Sequence, residues 1–140
     1  MPERALQAVA ARLREHDVPF LLGGSMLLRA LGLDVPVRDV DLMLRAADRE
    51  RFEAAAGEWL VATTTEPGPV LTSAWKATLD VDGVEVEGLG GLGFAGGEEL
   101  PFRAGGVWRG IPLAAPEVWY QAYRAYDPEK AALLEPFLAR

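Results

Sequence analysis

Leu21 to Leu44, LLGGSMLLRALGLDVPVRDVDLML, limits what this 140-residue chain can fold into more than any other stretch. An apolar run from Val18 to Leu22 leads into Gly23-Gly24-Ser25 and reads as a buried strand ending in a turn. Met26, Leu27, Leu28, Ala30 and Leu31 then predict a short helix, with Gly32 as its left-handed stop. Pro36 ends any helical continuation, and Val40, Leu42 and Leu44 begin a second strand. The segment is therefore strand, Gly-Gly-Ser turn, helix, loop, and a strand with two carboxylates, Asp39 and Asp41, near its start.

That arrangement has a chemistry. A helix opening on Gly and Ser offers free backbone N–H groups and a positive dipole end, which suit phosphate. Gly23 and Gly24 allow close approach of backbone to a ligand. After a spacer of thirteen residues from Ser25, Asp39 and Asp41 stand at i and i+2 on a strand. Their side chains share one face, with Cα atoms roughly 7 Å apart. Two carboxylates beside a phosphate cradle invite Mg²⁺, which takes oxygen ligands and shares them with substrate phosphates. The expected ligand is a metal-bound nucleoside triphosphate.

Gly24-Ser25, a spacer and Asp39-x-Asp41 resemble the signature of the DNA polymerase β-like nucleotidyltransferase superfamily, above all its small stand-alone members, the minimal nucleotidyltransferases. The likeness is sharp over Leu21 to Leu44 and looser elsewhere. It implies that the Gly-Ser turn holds the triphosphate of an NTP such as ATP and that the two Asp bind two Mg²⁺ ions. It also implies a third carboxylate on a neighbouring strand.

Half of the residues are hydrophobic, so one globular domain over residues 1–140 is expected, with a core of its own. The absence of cysteine removes disulfides, thiolate zinc sites and thiol nucleophiles. His16, the one histidine, reads as a surface residue at the end of the first helix. No apolar run reaches membrane-spanning length, and Glu3 and Arg4 stand where a signal peptide would differ. A cytoplasmic protein without membrane contact is the expectation. A net charge of −7 makes a long nucleic acid a poor partner.

In chain order, Ala5, Leu6, Val9, Ala10 and Leu13 have helical spacing with one buried face. Asp48 reads as an N-cap for a helix to about Glu58, with Phe52 and Ala55 inward. Leu60 to Thr65 is β-prone, and Pro67-Gly68-Pro69 is a turn. Val70 to Leu89 reads as a hairpin around Asp82-Gly83, a type I′ candidate. On its return strand Val84 and Val86 face one side, Glu85 and Glu87 the other. Either glutamate could be the third carboxylate, and Glu87 is preferred because small Gly88 follows it. Gly88, Gly90 and Gly93 match G-x-G-x-x-G, but no helix period follows, so a dinucleotide site is not expected.

Phe102 to Pro112 predicts short strands. Pro116-Glu117 and Asp127-Pro128 each open a helix, and Trp119, Tyr123 and Tyr126 form one stripe that reads as core. Relatives of this kind carry a basic–acidic pair near Tyr126-Asp127, where this chain departs from them.

The expected fold is α/β (α+β), a mixed, mostly antiparallel sheet with helices mainly on one face. The expected function is metal-dependent transfer of a nucleotidyl group from an NTP to an acceptor hydroxyl, releasing pyrophosphate. Asp39, Asp41 and Glu87 are the catalytic and metal-binding candidates, with Glu85 a further ligand candidate. Gly23, Gly24 and Ser25 are the nucleotide-binding candidates, with Arg29, Arg38 and Lys76 as extra phosphate contacts. The alternative is a nucleotide-binding or interaction protein without turnover on the same fold, such as an antitoxin-like component, with a protein partner or a second copy of itself.

Overall fold

The computed structural model describes residues 2–138. Its helices are α1 (Pro2–Glu15), α2 (Gly24–Ala30), α3 (Arg49–Ala56), α4 (Pro116–Tyr126) and α5 (Pro128–Leu134). Its strands are β1 (Leu21–Gly23), β2 (Val40–Leu44), β3 (Leu60–Thr64), β4 (Leu71–Thr72), β5 (Trp75–Val81), β6 (Val84–Gly90), β7 (Gly93–Phe94), β8 (Ala104–Trp108) and β9 (Ile111–Ala114). One sheet runs β3-β5-β6-β2-β1-β9-β8, and β4 and β7 form a small separate ribbon. Only β2–β6 and β1–β9 pair in parallel within the large sheet; its other pairs are antiparallel, as expected.

The helix and turn signals act where the sequence places them. Ala5, Leu6, Val9, Ala10 and Leu13 are the buried stripe of α1. Gly32 takes φ +94 and closes α2, with its N–H donating to the Arg29 carbonyl and that of Leu33 to the Leu28 carbonyl. This paired pattern satisfies the carbonyls that a helix end leaves free. Asp82 and Gly83 both have positive φ, as a type I′ turn requires, and join β5 to β6. The Gly-rich run opens no helix: Gly88 and Gly90 lie in β6 and Gly93 in β7, so the dinucleotide motif is a chance match. His16 is exposed, as expected.

Asp48 stands where the N-cap is expected, but its side chain does not cap the helix. It is 2% exposed and accepts hydrogen bonds from Arg45 Nε and Arg51 Nη2, each at 2.8 Å. The bond from Arg45 is the first cause holding its carboxyl below the ordinary range. Two guanidinium donors outcompete a backbone N–H for one carboxylate. α3 ends at Ala56, where Gly57 takes φ +51, and a 3-10 turn over Gly57–Trp59 carries the helical path past Glu58.

The buried side chains form one continuous cluster. The apolar face of β2, β5 and β6 carries Leu42, Leu44, Ala77, Leu79 and Val86 under α1 and α3. Phe52 of α3 lies directly over Gly88: a Cβ there would stand 2.7 Å from Phe52 Cζ and 2.8 Å from Leu44 Cδ1. Full burial of a side chain like Phe52 stabilises by about 1.5–3 kcal/mol. No helix among the described residues is long and apolar enough to cross a membrane.

Gly88→Ala therefore overpacks the core, at a cost of about 1–3 kcal/mol. A drop in Tm of roughly 3–10 °C is the expected result for a domain of this size. Gly97, where an added Cβ meets nothing nearer than 3.4 Å, is the control, and Gly97→Ala should melt with the parent. Equal Tm values for the two variants would contradict this packing.

Candidate active site

Sheet register assembles the site. Gly23 pairs with Asp41, Asp41 with Glu87, and Glu87 with Thr78, one lateral row across β1, β2, β6 and β5. Side chains in such a row share a face and stand roughly 4.8 Å apart. Glu85, two residues earlier on β6, shares that face, and Asp39, the second residue before Asp41, lies just ahead of β2 and lines a cavity with it. The opposite face is the apolar one under α1 and α3.

The two glycines are spent on packing within the protein. A Cβ on Gly23 would collide with the indole of Trp119, and one on Gly24 with the Asp41 carboxylate. Gly24 also has φ +63, a left-handed conformation that starts the turn from β1 into α2. Trp119 of α4 and Asp41 occupy the space that a side chain at either position would need. Trp119 is 3% exposed, and its indole N–H has no hydrogen-bond partner.

Asp41 lies between two cavities. One, of about 280 Å³, is lined by Ser25, Pro36, Arg38, Asp39, Asp41 and Lys130. The other, of about 460 Å³, takes in Asp41, Glu87, Lys76, Trp119, Tyr126 and the Pro67–Pro69 turn. Ser25 and Asp39 thus open on the same space, and Arg38 joins them.

Two cationic candidates stand elsewhere. Arg29 sits in the last turn of α2, where its Nε and Nη2 donate to the Val35 carbonyl at 3.0 and 2.7 Å. It braces the loop behind the helix and lines a cavity with Glu3, Trp108 and Arg109, not the one at Ser25. Lys76 reaches Glu87, with Nζ 2.8 Å from Oε2, so it faces a carboxylate in place of a phosphate. Glu85 lines neither cavity beside Asp41, whereas Glu87 lines the larger.

Lys130 is the residue that sequence reasoning missed. Its ammonium donates to Ser25 Oγ at 3.0 Å, 105 residues away in the chain. The Ser25 hydroxyl accepts that bond, and its own proton is left to donate. Asp127 N-caps α5 by accepting from the Lys130 N–H at 3.3 Å, which fixes the phase of the helix that carries the ammonium. The Asp127-Pro128 signal was readable; its placement beside Ser25 had no local signal. The aromatic stripe divides: Trp119 and Tyr123 are core, while Tyr126 is 50% exposed and lines the larger cavity. Burial and the nearby Asp41 and Asp127 carboxylates push the Tyr126 hydroxyl up to about 12, so it stays a donor at neutral pH.

Asp41 carries the strain of this arrangement. Burial first, then the charges of Glu87 and Asp39, push its carboxyl up to about 6. Like charges converging on a buried carboxylate are what a hard divalent cation would relieve, so Asp39 and Asp41 fit as its ligands. No three His, Cys, Asp or Glu side chains are arranged about one metal position among the described residues. Glu87, the third candidate, is engaged by Lys76 instead.

This is the nucleotidyltransferase fold. A candidate nucleotidyltransferase of Thermotoga maritima superposes with a TM-score of 0.73 at 23% identity, over 95% of this chain and 89% of that one. The antibiotic-resistance factor ANT(2'')-Ia, in its solution structure, gives 0.63 at 15% identity, over 94% and 80%. Its crystal structure in complex with adenylyl-2''-tobramycin gives 0.61 at 16%, over 92% and 84%. At these identities the likeness is one of fold. No protein-family model matches the chain, and no curated protein matches it in sequence.

An acid whose folded pKa is raised opposes folding above that pKa, and the penalty fades as pH falls from about 6 toward its unfolded value of 3.8. At 1.36 kcal/mol per pH unit the penalty is at most about 3 kcal/mol. Asp41→Asn should therefore raise Tm by several degrees at pH 8, and the gain should shrink toward zero near pH 4. Melting curves across that range check this; a gain independent of pH would show that ionisation of the buried Asp41 carboxyl is not its source.

Proposed function

We propose that this protein transfers a nucleotidyl group from a nucleoside triphosphate to a hydroxyl of a small acceptor molecule. The observation that carries the reading is the position of Asp41, a strained carboxylate between a small cavity with phosphate-type donors and a larger one of ligand size. The triphosphate occupies the smaller cavity. The Ser25 hydroxyl, the Lys130 ammonium and the Arg38 guanidinium are its donors there. The backbone at Gly23 and Gly24 contributes N–H groups rather than space. Mg²⁺ bound by Asp39 and Asp41 would neutralise phosphate charge and orient the α-phosphate.

The acceptor occupies the larger cavity, whose volume of about 460 Å³ lies in the range of small-molecule sites. Its hydroxyl oxygen attacks the α-phosphorus. A new P–O ester bond forms, the bond to the β-phosphate oxygen breaks, and pyrophosphate leaves with the electron pair. The hydroxyl proton passes to Glu87, which lines this cavity beside Asp41 and is not one of the two aspartates assigned to the metal. The chain's contribution is mostly positioning and charge complementarity, as in phosphoryl transfer generally. Support for a small acceptor comes from the neighbour of like fold whose complex holds an adenylylated tobramycin.

A second reading, nucleotide binding without turnover, is favoured by one observation: Lys76 holds the carboxylate that would take the proton. Pyrophosphate release separates the two. Incubation with Mg²⁺, each NTP and hydroxylated acceptors should give acceptor-dependent pyrophosphate. A thermal shift with Mg-NTP and no pyrophosphate under any condition would favour the binding protein.

Asp39→Ala and Asp41→Ala should each abolish Mg²⁺-dependent NTP binding while the fold survives. Lys130→Met should weaken NTP binding on the order of tenfold, the scale of one charge-assisted hydrogen bond. Calorimetric titration with a non-hydrolysable NTP reads all three. Parent-like binding by both Asp variants would refute the assignment.

A further inference from the structure

The carboxylate that would complete a two-ion site already has a cation. Lys76 stands opposite Leu89 in the β5–β6 ladder and reaches diagonally to Glu87, whose own cross-strand neighbour is the uncharged Thr78. Its Nζ lies 2.8 Å from Glu87 Oε2, with 19% of the Glu87 side chain exposed. The ladder pairs every residue from Trp75 to Val81 with one from Val84 to Gly90, so the most regular part of the sheet fixes this contact. The bond to Glu87, supported by the charges of Glu85 and Asp41, raises the Lys76 pKa, which keeps the ammonium charged.

We propose that Lys76 is the second cation of this site: its ammonium on Glu87 stands in for a second divalent ion, and the protein takes one divalent ion per bound nucleotide, at Asp39 and Asp41. The inference rests on the nucleotidyl-transfer reading and revises its expectation of two Mg²⁺ ions. It accounts for the absence of any three-ligand group among the described residues. An ion on Glu87 would have to displace an ammonium already hydrogen-bonded there, and would sit beside a like charge if it did not. Lys76 also belongs to the wall of the acceptor cavity, so its charge lies on the side from which the hydroxyl attacks. A fixed ammonium at that place supplies positive charge without needing metal.

Bound Mn²⁺ per chain is the test, counted by electron paramagnetic resonance in the presence of a saturating α,β-methylene NTP. The parent should hold one ion and Lys76→Met two, because Met keeps the aliphatic stem and frees Glu87. Lys76→Arg, which keeps a cation, should hold one. Glu87→Gln in the parent background should leave the count at one, which serves equally if Lys76→Met does not fold. Two ions in the parent, one ion in a folded Lys76→Met, or a drop on Glu87→Gln would each overturn the proposal. No nucleotide-dependent Mn²⁺ in the parent is a distinct result: it removes the nucleotidyl-transfer reading and this inference with it.

Discussion

The structure depends on a carboxylate placed where burial and charge both disfavour it. Asp41 is enclosed by the turn at Gly24 on one side and by Glu87 on the next strand. Burial first, then the neighbouring carboxylates, push its carboxyl up to about 6. A protein under selection for stability alone would place an apolar or neutral residue here, as it does two residues on at Met43. Strain of this kind, focused at a point where two cavities meet, is the expected signature of a functional site.

The neighbouring parts follow from that position. Gly23 has no side chain, so Trp119 of α4 can cover β1 beside Asp41. Trp119 in turn packs against Tyr123, and Tyr123 against Tyr126, with ring centroids 5.5 Å apart in both cases. That stack anchors α4, and the Asp127 cap redirects the chain into α5, which delivers Lys130 to Ser25. The helical C-terminal part is thereby both a lid on the core and the source of a cation at the proposed phosphate cavity. The Asp48 cluster with Arg45 and Arg51 does comparable work just beyond β2, where it holds the chain end of the site-bearing strand.

Much of this was legible from local signals. The Gly-Gly-Ser turn, the Gly32 stop, the Asp82-Gly83 turn and the alternation on β2 and β6 are properties of short segments, and each appears in the fold. Alternation also pairs Asp39 with Asp41, and Glu85 with Glu87, on one face of their own strands. Register was not legible, and it is register that sets Glu87, not Glu85, beside Asp41. The cations were hardest to place. Arg29 and Lys76 have long side chains that found a carbonyl and a carboxylate nearer than any phosphate position, and Lys130 reaches the site only through tertiary packing. The packing of Gly23 has no local signal either, since its neighbour Trp119 lies 96 residues on.

The central claim is that Asp39 and Asp41 hold a divalent ion beside a triphosphate bound at Ser25 and Lys130. A crystal structure with Mn²⁺ and a non-hydrolysable NTP tests it most directly, because the anomalous signal of manganese locates the ion independently of the nucleotide. The account predicts an anomalous peak between the Asp39 and Asp41 carboxylates, with phosphate oxygens against Ser25 Oγ and Lys130 Nζ. Nucleotide bound away from Ser25, or density for nucleotide with no manganese at the two aspartates, would contradict it.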